Sequence, residues 1–262
     1  MSGEQENDGI FEAGSAAHGY RVVLRYDGRG YYGWQRLRDH STIQAALERA
    51  IAGAFGEGAP AIGAGRTDRG AHAEGQVAGF HLSQEVSPEK VIAGLNLHLP
   101  ADIRVLAANA VPLAFHARTA ALGKIYRYRI ATRAKLLPED VGRVWHLPRK
   151  ALDVPAMAVA ARGLLGSHDF ATFATKSRFA RGTTVRNLEE ASVGRDGEDV
   201  VFQFRAESFL YHMVRNVVRA LAKVGEGRWA PERVAEILAA HDRAASPGSA
   251  PASGLYLMRV IY

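Results

Sequence analysis

The residues best suited to chemistry lie in Gly63-Ala64-Gly65-Arg66-Thr67-Asp68-Arg69-Gly70-Ala71-His72-Ala73, where one acid stands between two arginines on a turn that joins two strands. An arginine at hydrogen-bond distance favours the charged carboxylate, and a carboxylate held in this way can act as nucleophile or base. The glycines let another stretch of backbone approach closely. A turn aspartate that only bonds its own backbone is the commoner use of the same residues.

Other segments offer less. Gly28-Arg29-Gly30-Tyr31-Tyr32-Gly33 satisfies G-x-G-x-x-G after an apolar run. A dinucleotide fingerprint must open the helix that receives the pyrophosphate, and here the helix starts about eight residues later, so a nucleotide cofactor is rejected. Tyr31, Tyr32 and Trp34 instead suit an aromatic loop beside a ligand, or packing across a sheet face. His72, His81, His98 and His116 share no metal-ligand spacing and read as core or surface histidines. With no cysteine in 262 residues, disulfides, Cys-ligated metals and thiol nucleophiles are excluded.

The elements that must position Asp68 follow from periodicity. An apolar strand runs from Tyr20, and Ile43, Leu47, Ala50, Ile51, Ala54 and Phe55 mark a helix capped by Ser41 or Thr42 and ended by Gly56. Residues 60–66 and 72–82 read as strands around the Asp68 turn, Ser87-Pro88 opens a second helix that stops before Pro100, and Ile103, Val105 and Leu106 mark another strand. The second half repeats the order more loosely: a strand over 124–130, a helix near 153–165, strands near 183–193 and 199–207, a helix over 211–224 and a closing strand from Leu255 to Tyr262.

That helix sets Val214, Val217, Val218, Leu221 and Val224 on one face and His212, Arg215, Arg219 and Lys223 on another, a solvated basic face by spacing alone. Residues 245–253 read as a surface loop. The fold class is therefore α+β: two pseudo-duplicated ferredoxin-like (split β-α-β) halves, 20–116 and 117–262, forming a largely antiparallel sheet with helices on one side and a cleft between the halves.

Hydrophobic residues make up 47% and charged residues 23%, an ordinary globular balance. Residues 1–19 lack apolar periodicity and read as a disordered leader. The first twenty residues hold four acids and neither Lys nor Arg, so a net charge of +6 leaves +10 on the remainder, which favours a polyanionic partner. No apolar run is long enough to span a bilayer and no secretory pattern opens the chain, so a soluble, cytoplasmic protein is expected.

G-R-T-D-R-G-A-H-A resembles the aspartate motif of the tRNA pseudouridine synthase A family. Tyr26-Asp27-Gly28 through Gly33-Trp34-Gln35, Phe115-His116-Ala117-Arg118, Lys124-Ile125-Tyr126-Arg127-Tyr128, His168-Asp169-Phe170, Phe209 to Asn216 and Gly254-Leu255-Tyr256-Leu257 resemble further blocks of that family, in its order. The likeness spans about residues 20–262.

The resemblance implies a tRNA pseudouridine synthase that isomerises uridine at positions 38 to 40 of the anticodon arm, without cofactor or metal, as a homodimer. It makes Asp68 the catalytic aspartate, with Tyr126 stacked on the target uracil, Arg215 paired with Asp68 and Leu257 lining the pocket. Arg66, Arg118, His168, Arg219 and Lys223 would hold the RNA. A non-catalytic RNA-binding protein built from paired split-βαβ units is the alternative.

Overall fold

The computed structural model describes residues 17–175 and 182–262. It contains ten strands, β1 (His18–Tyr26), β2 (Ile62–Gly63), β3 (His72–Leu82), β4 (Ile103–Val111), β5 (Gly123–Ala131), β6 (Trp145–His146), β7 (Gly166–Asp169), β8 (Val185–Asp196), β9 (Asp199–Ala206) and β10 (Leu255–Ile261). The helices are α1 (Ile43–Phe55), α2 (Pro88–His98), α3 (Val154–Arg162), α4 (Met213–Gly225) and α5 (Glu232–Ala239).

These form a mixed α+β protein around one largely antiparallel sheet in the order β4-β1-β3-β10-β5-β9-β8-β7, with β2 on β3 and β6 on β5. Among the described residues only β3 with β10 and β5 with β6 run parallel. The β3–β10 seam is short, pairing His72 with Tyr256 and Ala73 with Leu257. It lies immediately after the Asp68 turn.

Local signals explain the elements. The Thr42 hydroxyl accepts from the Ala45 N–H, and Gly56, at φ 72°, closes α1 in the left-handed region that suits glycine. In β1, Tyr20, Val22, Leu24 and Tyr26 are buried at every second position. A single apolar cluster runs from these through Phe80 to Tyr128, Phe202 and Phe204. Each fully buried large side chain contributes about 1.5–3 kcal/mol relative to exposure.

Some expectations change. Strand β1 includes His18 and Gly19, and the Ala17 N–H donates to the Leu82 carbonyl at 3.0 Å, so residues 17–19 join the sheet rather than the leader. The remainder of that leader, 1–16, lies outside the described residues. The 60–66 strand shrinks to two paired residues, while α5, β6 and β7 are additional. The 245–253 segment is not wholly a surface loop: Ala250 is completely buried, because both its backbone polar groups bond Arg215.

Around β1 and β3 sits a partly buried charged cluster. The Asp27 carboxylate accepts from Arg29 and Arg143. Burial would raise its pKa, yet those two arginines hold it well below the usual carboxylate range. His72 accepts from the Gly28 N–H at 3.2 Å through Nδ1, faces the Gly142 carbonyl at 3.2 Å through Nε2 and stacks on Tyr256. Burial pushes its pKa down, and the bonding fits a neutral core histidine, despite an Asp27 oxygen 3.3 Å from Nδ1.

Both shifts have the same sign for stability. The unfolded chain binds a proton at histidine below about pH 6.5 and at aspartate below about pH 4, where the fold resists both, so stability falls on acidification. Thermal melts should therefore show Tm declining from pH 7 to pH 4, and His72→Asn should flatten the part above pH 5. A Tm constant over that range would contradict the assignment.

Candidate active site

The site is built where the Asp68 turn, the start of α4 and the β5–β10 pair meet. The turn is fixed from several sides. Tyr26 and Thr67 share a hydroxyl bond of 2.8 Å, Gln76 donates to the Gly65 carbonyl at 2.8 Å, and the Ala71 N–H donates to the Asp68 carbonyl at 3.0 Å.

The Gly28–Gly33 loop packs directly on this turn. The Trp34 N–H donates to the Thr67 carbonyl at 3.1 Å, and the Gly70 N–H donates to that of Tyr31 at 3.2 Å. Gly33 has φ +89°, and a Cβ there would meet the Thr67 carbonyl oxygen at 2.4 Å. Close contact between two backbones, rather than a nucleotide phosphate, accounts for this glycine. Gly33→Ala should therefore cost about 1–3 kcal/mol and push the two loops apart. A melt like that of the wild type would refute this.

Among the described residues the Asp68 side chain, 16% exposed, has no hydrogen bond within its own turn. Its Oδ2 accepts from Arg215 NH1 at 2.7 Å, across 147 residues of sequence. Arg215, also 16% exposed, donates from Nε to the Ala250 carbonyl at 2.7 Å, and its own carbonyl accepts from the Ala250 N–H at 3.0 Å. Its guanidinium is thus aimed by two segments at once. The next residue, Asn216, donates to the Phe173 carbonyl at 2.6 Å and accepts from the Ser249 hydroxyl, which pins the start of α4 to both neighbouring segments.

Tyr126 is buried in β5, opposite Leu257 of β10 on one side and Phe204 of β9 on the other, with its ring edge-on to Phe209 at 5.0 Å. Burial pushes its phenol pKa far up, with the negative charge of Asp68 among the smaller contributors, so the ring is neutral near the carboxylate. Leu257 is completely buried beside it. Asp68, Tyr126, Arg215 and Leu257 thus fall within one neighbourhood.

The remaining basic candidates are spread more widely. Arg66 is exposed and donates to Gln35 at 3.1 Å. Arg118 is exposed, and its charge lowers the Lys124 pKa after burial, the larger cause. Arg219 is half-buried with its guanidinium 5.1 Å from the Trp145 ring centre, and Lys223 is half-buried one turn further on, so the polar face of α4 is not simply solvated. His168 lies on β7 at the far edge of the sheet, where Nε2 meets the Leu165 carbonyl at 2.8 Å. Among the described residues, no hydrogen bond or ion pair links His168 to Asp68, Tyr126 or Arg215.

By residue pattern His212 was one member of the polar face of α4, with no role at the site. Its Nε2 stands 3.6 Å from Asp68 Oδ1, its Nδ1 is 3.1 Å from the Thr175 hydroxyl, and its ring stacks on Tyr211 at 3.8 Å. Burial lowers its pKa against the opposing pull of Asp68, and Arg215 and Arg243 lower it further. The residue caps α4 at φ 61°, which starts the helix at Met213 rather than 211. A left-handed non-glycine next to the Asp68–Arg215 pair is backbone strain beside the candidate site. Its sequence signals are its place on that polar face and in the Phe209 to Asn216 block.

Among the described residues no three His, Asp or Glu side chains converge to hold a metal ion, and no helix is long and apolar enough to cross a membrane. What the geometry offers is a partly buried carboxylate, a guanidinium fixed against it and an aromatic ring close by. That is equipment for covalent or proton-transfer chemistry on a planar substrate.

Comparison with known proteins gives the class. A family model described as tRNA pseudouridine synthase matches residues 22–119 and 160–262. The tRNA pseudouridine synthase A of Acidiphilium cryptum is 45% identical over 246 residues, covering 93% of this chain and 96% of that one. That of Rhodospirillum centenum is 43% identical over 93% of this chain and 99% of its own, and that of Methylacidiphilum infernorum 42% identical over 94% and 96%. The molecule is an isomerase. More narrowly, this chain belongs to the tRNA pseudouridine synthase family.

Proposed function

We propose that this protein converts uridine to pseudouridine at positions 38 to 40 in the anticodon arm of tRNA, with Asp68 as the catalytic carboxylate. The observation that carries the reading is the Asp68–Arg215 pair, 2.7 Å long and close to the buried Tyr126, in a chain of this family. In the reaction the N1–C1′ bond breaks, a C5–C1′ bond forms, the C5 proton is lost and N1 gains a proton. No electrons are exchanged with an external acceptor. Asp68 acts on base, ribose or proton, Tyr126 stacks on the uracil, and Leu257 keeps water from the pocket.

The target must leave its helical stack first, which costs a few kcal/mol, and basic side chains hold the RNA meanwhile. Arg66, beside Asp68, is the nearest of these in sequence; Arg118, Arg219, Lys223 and His168 would extend the contact. Recognition rests on RNA shape and backbone more than on base edges. The strand orders β4-β1-β3-β2 and β10-β5-β9-β8 support two duplicated split-βαβ halves, 20–116 and 117–262, with helices on one side and the RNA in a cleft between them. Action as a homodimer in the cytoplasm, where tRNA is processed, without a cofactor, completes the proposal.

The test uses unmodified tRNA tritiated at uracil C5. Conversion releases the label to water. Stoichiometric binding of this tRNA without release would favour the non-catalytic RNA-binding alternative.

A further inference from the structure

The Gly28–Gly33 loop does more than pack on the Asp68 turn, because it carries Tyr32 into solvent at 38% exposure. Beneath Tyr32 lies His40, with ring centres 3.8 Å apart and planes within 6°. Arg69, the neighbour of Asp68 in sequence, places its guanidinium carbon 4.1 Å from the Tyr32 ring centre. His40 and Arg69 are exposed. Among the described residues Arg69 has no carboxylate partner and makes no side-chain hydrogen bond, although three other arginines near this site, Arg29, Arg143 and Arg215, each hold a carboxylate.

A free surface arginine gains little from standing still. Here the ring holds one face of the guanidinium, while the N–H edge in the plane is unused. The loop that carries the ring is itself fixed: the Tyr32 N–H donates to the Ser41 carbonyl at 2.8 Å, and the Ile43 N–H donates to that of Gly33 at 3.1 Å, besides the two bonds to the Asp68 turn. A planar fork with unengaged donors, oriented in advance, matches the oxygens of a phosphate and loses little freedom on binding one. Arg69 follows Asp68 directly in the chain, so an anion it holds flanks the turn that carries Asp68.

We propose that Arg69, laid on the Tyr32 ring that itself stacks on His40, is a pre-positioned clamp for an RNA backbone phosphate flanking the reacting uridine. The proposal rests on the tRNA reading above and adds to it a residue and a contact chemistry.

The test measures Kd for an unmodified tRNA transcript between about 50 and 300 mM KCl, together with kcat/KM for tritium release, on the full-length protein. Arg69→Ala should raise Kd about 5- to 10-fold at 100 mM salt and reduce the slope of log Kd against log salt by roughly 0.9, the contribution of one phosphate. Its kcat/KM should fall by the same factor as Kd rises. Arg69→Lys should keep the slope and lose part of the affinity, as should Tyr32→Leu, since charge survives in both while orientation does not. If wild-type protein neither binds nor converts tRNA, the tRNA reading itself fails. If wild type is active but Arg69→Ala keeps the wild-type Kd and slope, or loses turnover without losing affinity, the Arg69 assignment alone is overturned.

Discussion

Asp68→Asn is expected to abolish tritium release, by about 10⁴-fold or more, while tRNA still binds within a few-fold of wild type. The amide preserves shape and can accept from Arg215, so the 2.7 Å contact and the fold should survive. What disappears is the negative charge, and with it nucleophilic or basic capacity. Stability should fall less than on loss of Arg215, because the amide oxygen still accepts from the guanidinium although the counter-charge is gone. Single-turnover kinetics with enzyme in excess separate this loss from weaker binding. Turnover near the wild-type rate would remove Asp68 from the chemistry, and the functional reading with it.

Arg215→Met is expected to have the second largest effect. Methionine fills part of the volume but leaves Asp68 without its guanidinium and Ala250 without its donor. Truncating one member of a largely buried charged pair costs about 2–5 kcal/mol, mostly the penalty of the stranded charge. The single-turnover rate should drop about 10²- to 10³-fold through lost alignment of the carboxylate. Arg215→Lys should recover only part, since one ammonium cannot reproduce a fork that reaches Asp68 and Ala250 together. A normal rate for Arg215→Met, with its melt lowered, would reduce Arg215 to a structural residue.

Much of the fold could be read from short-range pattern. The recurrence of Ile43, Leu47, Ala50 and Ile51 between Thr42 and Gly56 fixes α1 because all its signals lie within fifteen residues of chain. The alternation in β1 is equally local. Strand β2 was overdrawn, since pairing depends on a partner strand, and β6 and β7 are too short to generate a period.

The site was less legible. Nothing local marks Asp68 as different from any turn aspartate; resemblance supplied Arg215, and only the folded chain brings the two together. The burial of Ala250 was hidden in a run of small residues that reads as loop, because the bonds that bury it come from α4. The place of His212 beside Asp68 escaped for a related reason: spacing put it only on a polar face, and a left-handed backbone at a non-glycine is imposed by tertiary structure and leaves no trace in composition. Arg219 looked solvated by helical spacing, yet Trp145, a distant residue, covers it.

The position of β10 between β3 and β5 has a consequence for biosynthesis. On the ribosome the Asp68 turn emerges well before α4, and the strand that sews the two sides of the sheet together comes later still. A nascent chain therefore holds Asp68 without Arg215, and the pair can form only after α4 has emerged and the sheet can close only after β10 has.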